Sequence, residues 1–201
     1  MRITAEEKQA TRKRILQGAV DLFRSQGFDA TTTRDIARVA QIATGTLFNY
    51  FETKEAIVAA LAGEALSRVH AAWKQGSSSN GLEEDLFALI ASELRQLRPL
   101  RKFITPFLET ALSPLVTVSR NGGDELRIEH LELVAAIALR HDVADLAPVP
   151  LQMYWALYTG VLAFWAADKS PKQEDTLALL DESLHMFGAW LRSPAGEPKG
   201  S

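Results

Sequence analysis

The sequence predicts an all-α protein of about nine helices, with a three-helix unit at the N-terminus and a larger helical unit after it. Apolar residues recur every three or four positions through most of the 201 residues, which is the helical period. Capping residues, glycines and prolines punctuate this pattern at plausible helix ends. No segment shows the alternation that is typical of a half-buried strand.

The first predicted helix covers residues 5–26. Its inner stripe is formed by apolar residues in its second half, including Ile15 and Phe23. Gly27 is suited to end the helix, and Phe28 can fold back on the last turn.

The second predicted helix is short and covers residues 34–40. Thr32 or Thr33 can cap its N-terminus, and Asp35, three residues after Thr32, approximates a capping box.

A tight turn at residues 41–43 leads to a third helix, predicted over residues 45–51 with Thr44 as its cap. Leu47 and Phe51 are four residues apart and therefore face inward. This spacing is typical of a helix-turn-helix, whose second helix enters the major groove of DNA.

The outward residues of the third helix suit contact with a duplex, because small side chains allow close approach and polar ones reach phosphates or base edges. They are Gly45, Thr46, Phe48, Asn49 and Tyr50.

Thr53 caps the next helix, and Lys54 lies in its first turn, where the helix dipole disfavours a cation. A phosphate partner would explain Lys54. The alternative is a solvated helical corner that never touches DNA.

The run GFDATTTRDIARVAQIATGTLFNYFETKEAIVAAL resembles the DNA-binding domain of the TetR family of bacterial one-component transcriptional regulators. The resemblance covers roughly residues 10–62, and its Gly-Phe, Thr-Thr, Ile-Ala, Gly-Thr-Leu-Phe, Tyr-Phe and Lys-Glu groups fall at the family's spacing. Gln41 stands where many members have glycine. A left-handed glutamine in the turn would cost about 1 kcal/mol.

The resemblance implies phosphate contacts from Thr33, Tyr50 and Lys54. It also implies base or groove contacts from Arg34, Thr44, Gly45, Thr46 and Asn49. Thr32 and Phe48 complete the candidate DNA-binding surface, although Phe48 replaces a tyrosine that the family often has there.

Charge and composition narrow the function. Residues 1–54 carry nine Lys and Arg against six Asp and Glu, whereas the whole chain has a net charge of −3. A basic head on an acidic remainder fits a protein with one face toward phosphates.

We expect no catalytic set, metal site or cofactor, since cysteine is absent and the four histidines are scattered. These are His70, His130, His141 and His185. The charged N-terminus favours a cytoplasmic protein.

We expect a DNA-binding domain at residues 1–54 and a ligand-binding and dimerisation domain at 55–193. A linking helix over 53–75 would be shared between them, and a tail at 194–201 would be disordered.

The segment from Ala147 to Ala167 contains no charged residue and is long enough to span a bilayer. We favour a buried helix instead, because prolines begin it and polar residues interrupt it, so no membrane is expected as a partner. One face of this helix carries bulky side chains. The opposite face carries small residues, including Ala156, Gly160 and Ala163.

The last helix is predicted over residues 171–191. Its apolar residues alternate three and four apart, which is typical of a coiled-coil seam. The seam residues are Leu177, Leu180, Leu184, Phe187 and Leu191. A second apolar stripe suggests two partners for this helix, so we expect a homodimer through a four-helix bundle with the preceding helix. The alternative is burial within one chain.

An effector cavity is expected in the larger unit. Its candidate lining residues are aromatic and favour an apolar or aromatic small molecule. They are Phe103, Phe107, Trp155, Tyr158 and Phe164. Arginines at 95, 98 and 101 could instead pair with an anion.

The resemblance implies a homodimeric repressor that binds a near-palindromic double-stranded operator and is released by this effector. The alternative function is a helical protein-interaction module without DNA binding.

Overall fold

The computed structural model describes residues 4–76, 81–111, 123–143 and 146–193, and within them all regular structure is helical. The all-α prediction is confirmed. The helices are α1 (Ala5–Gln26), α2 (Thr33–Val39), α3 (Thr44–Phe48), α4 (Lys54–Gln75), α5 (Leu82–Leu97), α6 (Thr105–Ala111), α7 (Gly123–Arg140), α8 (Pro148–Ala167) and α9 (Glu174–Leu191).

The chain divides into two compact units, which we call the head (Met1–Leu61) and the body (Ala62–Ser201). Helix α4 continues through the boundary. The predicted disordered tail at 194–201 lies outside the described residues.

Local sequence signals set the ends of α1. Thr4 and Glu7 form a reciprocal capping box at its start. Gly27 ends it with φ at +91°, a conformation that glycine adopts without a Cβ penalty. The Phe28 ring then lies 5.1 Å from the Phe23 ring, so the predicted fold-back of the chain is confirmed.

The body packs α5 against α7 and α9, and α8 against α6, α7 and α9. Aromatic residues supply much of its core, because each ring removes a large apolar area from water. Trp155, Trp165, Tyr154, Tyr158 and Phe107 are all fully buried there.

A 3-10 segment, Arg98–Phe103, lies between α5 and α6. The last predicted helix begins differently in the structure. Pro171 opens a 3-10 turn rather than α9 itself, and Gln173 then enters the left-handed region with φ at 63°.

Asp168 fixes the start of α9. One carboxylate oxygen accepts hydrogen bonds from the Thr176 hydroxyl at 2.5 Å and the Thr176 amide at 3.1 Å, and the other accepts from the Ser170 amide at 2.7 Å. The Thr176 and Ser170 bonds outweigh desolvation and lower the pKa of Asp168 to about 2. The carboxylate therefore supplies the acceptor that the first turn of α9 needs.

The uncharged segment forms α8. Its bulky face is buried, as expected, but the opposite face exposes apolar side chains such as Val149 and Met153. Among the described residues, no helix has the length and apolar character to cross a membrane.

Gln41 gives the first testable consequence of the backbone. Its φ is +55°, in the left-handed region that costs a non-glycine residue about 1 kcal/mol. We expect Gln41→Gly to raise the free energy of unfolding of the head by up to about 1 kcal/mol, measured by amide exchange of α1–α3. No gain would show that the Gln41 side chain compensates for the strain.

Candidate functional site

The start of α2 is held by the predicted capping box. The Asp35 amide donates to Thr32 Oγ1 at 3.1 Å, while Thr32 donates to the Asp35 carboxylate from its amide at 3.2 Å and its hydroxyl at 2.6 Å. Arg38 adds an ion pair at 2.7 Å. The Thr32 hydrogen bonds and the neighbouring arginines lower the pKa of Asp35, so this cap is ionised at neutral pH.

A backbone hydrogen bond holds the turn between α2 and α3. The Ile42 amide donates to the Ala37 carbonyl at 3.0 Å across the turn. Leu47 is fully buried and Phe51 is 7% exposed, so the predicted inward pair is confirmed. The cap prediction was wrong: Ala43, not Thr44, is the N-cap, and no side chain bonds to this end. The helix also ends at Phe48, because the chain turns toward α4.

The outward face of α3 is open. Gly45 and Asn49 are exposed, and Phe48 is 47% exposed. A Cβ built on Gly45 would meet nothing within 4 Å. Packing within the described protein therefore does not require a glycine at this position. The close approach of another molecule to the backbone would require one.

The remaining candidate DNA-binding residues border this face. Thr32 and Arg34 are exposed at the start of α2, and Thr33 is half-buried. Half-buried side chains also lie along α3 and just after it, and these are Thr44, Thr46 and Tyr50.

Lys54 has a role that the sequence did not show. Its ammonium donates to the carbonyls of Phe28 at 2.8 Å and Thr31 at 3.2 Å, and it lies 4.3 Å from the centroid of the Phe28 ring. The charge thus fastens α4 to the loop between α1 and α2. A phosphate is not needed to explain the lysine, and its contact with DNA stays a prediction.

The body contains a pocket of about 250 Å³. Its apolar wall includes Phe87, Leu94 and Trp165, and its lining also carries cations from three helical segments. These cations are Arg95, Arg98 and Lys172. The sequence suggested arginines 95, 98 and 101, of which only the first two line the pocket. Arg101 instead donates to the Trp165 carbonyl at 2.8 Å. The sequence did not suggest Lys172, which a 3-10 turn places beside the two arginines.

The five predicted ligand-binding aromatics do not line this pocket. Phe103, Phe107, Trp155 and Tyr158 are each 5% exposed or less and belong to the core. Phe164 is separated from them: it lies nine residues, two and a half turns, beyond Trp155 and is 43% exposed. Phe164 therefore lies on the opposite side of α8 from Trp155, and its part in an effector site stays a prediction.

The predicted dimer residues fall into two groups. Leu180, Leu184 and Phe187 are at most 4% exposed within one chain, so assigning them to a dimer seam was wrong. They pack into the body because α9 contacts α5 and α8. The others are open or half-open in one chain, and these are Ala156, Gly160, Ala163, Leu177 and Leu191.

Comparison with known proteins agrees with this geometry. Residues 15–61 match the family model described as "Bacterial regulatory proteins, tetR family". The uncharacterized HTH-type transcriptional regulator YvkB of Bacillus subtilis is 36% identical over 77 residues, which cover 38% of each chain. The HTH-type transcriptional repressor KstR2 of Rhodococcus jostii is 43% identical over 51 residues, 25% of each chain. The matches thus span well under half the length of these relatives.

Similarity to a solved structure extends over both units. The crystal structure of Thermus thermophilus FadR, a TetR-family transcriptional repressor in complex with lauroyl-CoA, has a TM-score of 0.71 and 25% sequence identity. The alignment covers 94% of this chain and 100% of that one. Residues 15–61 therefore carry the helix-turn-helix domain of the TetR family of bacterial transcriptional regulators, and the whole chain has the fold of a TetR-family repressor.

Proposed function

We propose that the chain is a ligand-responsive repressor that works in the cytoplasm, where it binds a near-palindromic DNA operator as a homodimer and is released by a small molecule held in the body. The observation that carries this proposal is the outer face of α3. It is open, has a small residue at its start, and carries polar groups around it. These features suit a helix that lies in the major groove.

The polar groups on and beside this face suit two kinds of contact with DNA. Thr46 and Asn49 can bond base edges, whereas Thr33 and the Tyr50 hydroxyl suit phosphates. Arg34 adds positive charge at the start of α2. Two heads in a symmetric dimer would read half-sites about 34 Å apart, one turn of the duplex.

Gly45→Ala separates folding from DNA binding. Alanine meets no atom within 4 Å, and it restricts the unfolded chain, so we expect unchanged stability or a gain of about 0.4–1 kcal/mol. The added methyl group would lie against the duplex, so operator affinity should fall at least about tenfold. Thermal unfolding and fluorescence anisotropy with labelled operator measure the two effects.

Gly76→Ala is the matched control, because Gly76 is exposed in the body and a Cβ there meets nothing closer than 3.7 Å. Operator affinity should be unchanged. If Gly45→Ala bound the operator like the unsubstituted protein, the duplex would not approach α3 at Gly45.

The homodimer is proposed from the exposed face of α8. Val149, Met153 and Phe164 are 64%, 43% and 43% exposed, and the small residues between them are also open. The stripe repeats every three or four residues and contains no charge, so a second copy of this helix fits it better than water does.

Ala163→Glu tests this interface. A carboxylate in the middle of the stripe would face its own copy across the twofold axis, and two buried like charges disfavour association. We expect a monomer by light scattering at micromolar concentration, with helical content retained. Ala72→Glu, at an exposed position of α4, should remain dimeric. A dimeric Ala163→Glu variant would place the interface elsewhere.

The pocket in the body indicates the effector class. Apolar walls beside Arg95, Arg98 and Lys172 suit an anion that carries a hydrocarbon chain. FadR of Thermus thermophilus is described in complex with lauroyl-CoA, which has this character. We therefore propose an acyl thioester or a related amphipathic anion rather than a neutral aromatic effector.

Release follows from unequal binding to two states. An effector that prefers a dimer whose heads do not match the half-site spacing shifts the population toward that dimer. Lauroyl-CoA should then release the operator, whereas coenzyme A without the chain and methyl laurate without the charge should not. Arg98→Gln should weaken the response without changing operator affinity. Equal release by all three compounds would remove the proposed role of the pocket.

The decisive experiment is selection of randomised duplexes by the purified dimer at a stated salt concentration, because phosphate contacts depend strongly on salt. An enriched near-palindrome establishes the DNA-reading homodimer. No enrichment, with or without acyl thioester, from folded protein would overturn the proposal and favour a protein-interaction module.

A further inference from the structure

Three polar side chains meet in the apolar core of the body. His70 from α4 and Glu93 from α5 are fully buried, and His130 from α7 is 2% exposed. His70 Nε2 lies 2.7 Å, and His130 Nδ1 lies 2.9 Å, from the same oxygen, Glu93 Oε1. The three donor atoms lie within 4.8 Å of one another.

Placing a carboxylate and two imidazoles in a core carries a desolvation cost of several kcal/mol unless each group is well compensated. The compensation within the protein is incomplete. Glu93 Oε2 is buried and has no partner with good hydrogen-bond geometry among the described residues, although the Tyr158 hydroxyl also interacts with the Glu93 carboxylate. Such an atom in a native core calls for an ion, a water or a ligand.

The outer nitrogen of each histidine faces a second partner. His70 Nδ1 lies 3.3 Å from Glu129 Oε2, an ion-pair distance without good hydrogen-bond alignment. His130 Nε2 lies 3.1 Å from the Tyr154 hydroxyl. Metal-binding histidines are oriented in this way, with one nitrogen toward the ion and the other held by a carboxylate or another polar group.

We propose that His70, Glu93 and His130 bind a divalent first-row transition metal ion, of the zinc class, in the core of the body. Two imidazoles and a carboxylate are a common ligand set for such ions, and three protein ligands leave a further position open. Their ligand–metal distances of about 2.0–2.2 Å require only a small separation of groups that now lie in hydrogen-bond contact.

The ion would connect α4, α5 and α7, which come from distant parts of the sequence. Access is available beside His70, because Glu129 is 29% and Lys74 is 51% exposed at the surface next to it. The Glu129 carboxylate is therefore the partner of His70 at this surface, and an incoming cation would compete there with the Lys74 ammonium, which lies 3.2 Å from Glu129 Oε1.

A closed hydrogen-bonded network is the competing explanation for the cluster. Two features favour an ion. A closed network would satisfy Glu93 Oε2, and it would not need a second carboxylate, Glu129, at the outer nitrogen of a buried histidine. Both features place negative charge where a cation would be held.

The test uses the untagged full chain, treated with a chelator and then titrated with Co²⁺. We expect one equivalent to bind with the visible absorption of a four- or five-coordinate ion, and Zn²⁺ to displace it. The thermal unfolding temperature should rise with either ion. Folded dimer without saturable one-to-one binding would overturn the proposal.

Variants locate the site. His70→Gln and His130→Gln should each abolish the cobalt absorption. Glu129→Gln should weaken Co²⁺ binding by about 10–100-fold while folding is preserved, since Glu129 is a surface group that acts through His70. His185→Gln is the control, because its side chain is 64% exposed on α9.

The outcomes are distinct even if the core variants fail to fold. Unchanged cobalt affinity in Glu129→Gln, or loss of binding in His185→Gln, would assign the ion to an adventitious surface site and overturn the proposal. Operator binding is not a readout here, so failure of the proposed repressor function would leave this test intact.

Discussion

Replacing Leu47 with alanine is expected to lower the free energy of unfolding of the head by about 2–5 kcal/mol, the range for a buried leucine truncated to alanine. Leu47 has no exposed surface, and it is the buried residue of the five-residue helix α3. A helix this short has no stability of its own, so its position depends on this contact. Protection of the α1–α3 amides against hydrogen exchange measures the loss.

Phe48→Ala is the matched control. Phe48 is the next residue along α3 but is 47% exposed, so its truncation should change stability by no more than about 0.5 kcal/mol. Operator affinity should respond in both variants for different reasons, through loss of the folded head in one and loss of a surface contact in the other. Equal losses of stability would mean that α3 is held by its outer face.

Glu93→Gln is expected to lower the free energy of unfolding of the body by about 3–5 kcal/mol in the presence of a chelator. Burial acts to raise the pKa of Glu93, but His130 and His70 lower it to about 2, so the carboxylate is ionised. Glutamine has nearly the same shape, but it removes the charge and replaces one acceptor oxygen with an NH2 donor. The histidines then lose the anion that both contact, and thermal unfolding followed by circular dichroism records the effect.

Glu132→Gln on α7 provides the comparison, because it removes the same charge from an exposed position. Its effect should lie within about 0.5 kcal/mol. A Glu93→Gln body as stable as the unsubstituted one would contradict this, because the charge on Glu93 would then contribute nothing to the stability of the core.

Local signals were enough to predict most of the head. The Thr32–Asp35 box, the Gly27 terminus and the Thr53 cap each depend on residues within four positions of one another, and each is found in the structure. The cap of α3 was mispredicted. Threonine is a favourable cap residue, but here the chain already turns at Ala43, and propensity is overridden by the turn geometry.

Long-range contacts could not be predicted in this way. Lys54 reaches carbonyls more than twenty residues earlier in the chain, which no helix-dipole argument includes. His70 and His130 are sixty positions apart and looked unrelated, until helix packing brought both to one carboxylate.

The seam of α9 illustrates a different limit. Leu180 and Leu184 have the spacing of a coiled coil, but the same spacing serves a helix buried within its own chain. Periodicity shows which residues are buried, but it does not identify the element that packs against them. The body also placed Lys172 at the pocket through a turn with positive φ, a conformation that the sequence did not signal.

The open space around Gly45 also has an evolutionary consequence. Residues that keep α3 in place, such as Leu47, are distinct from those on its outer face, such as Asn49. A duplicated copy of this gene could therefore change its outer residues, and with them its target sites, without first acquiring compensating mutations in the core. The same separation makes α3 a practical position for engineering regulators that ignore one another's promoters.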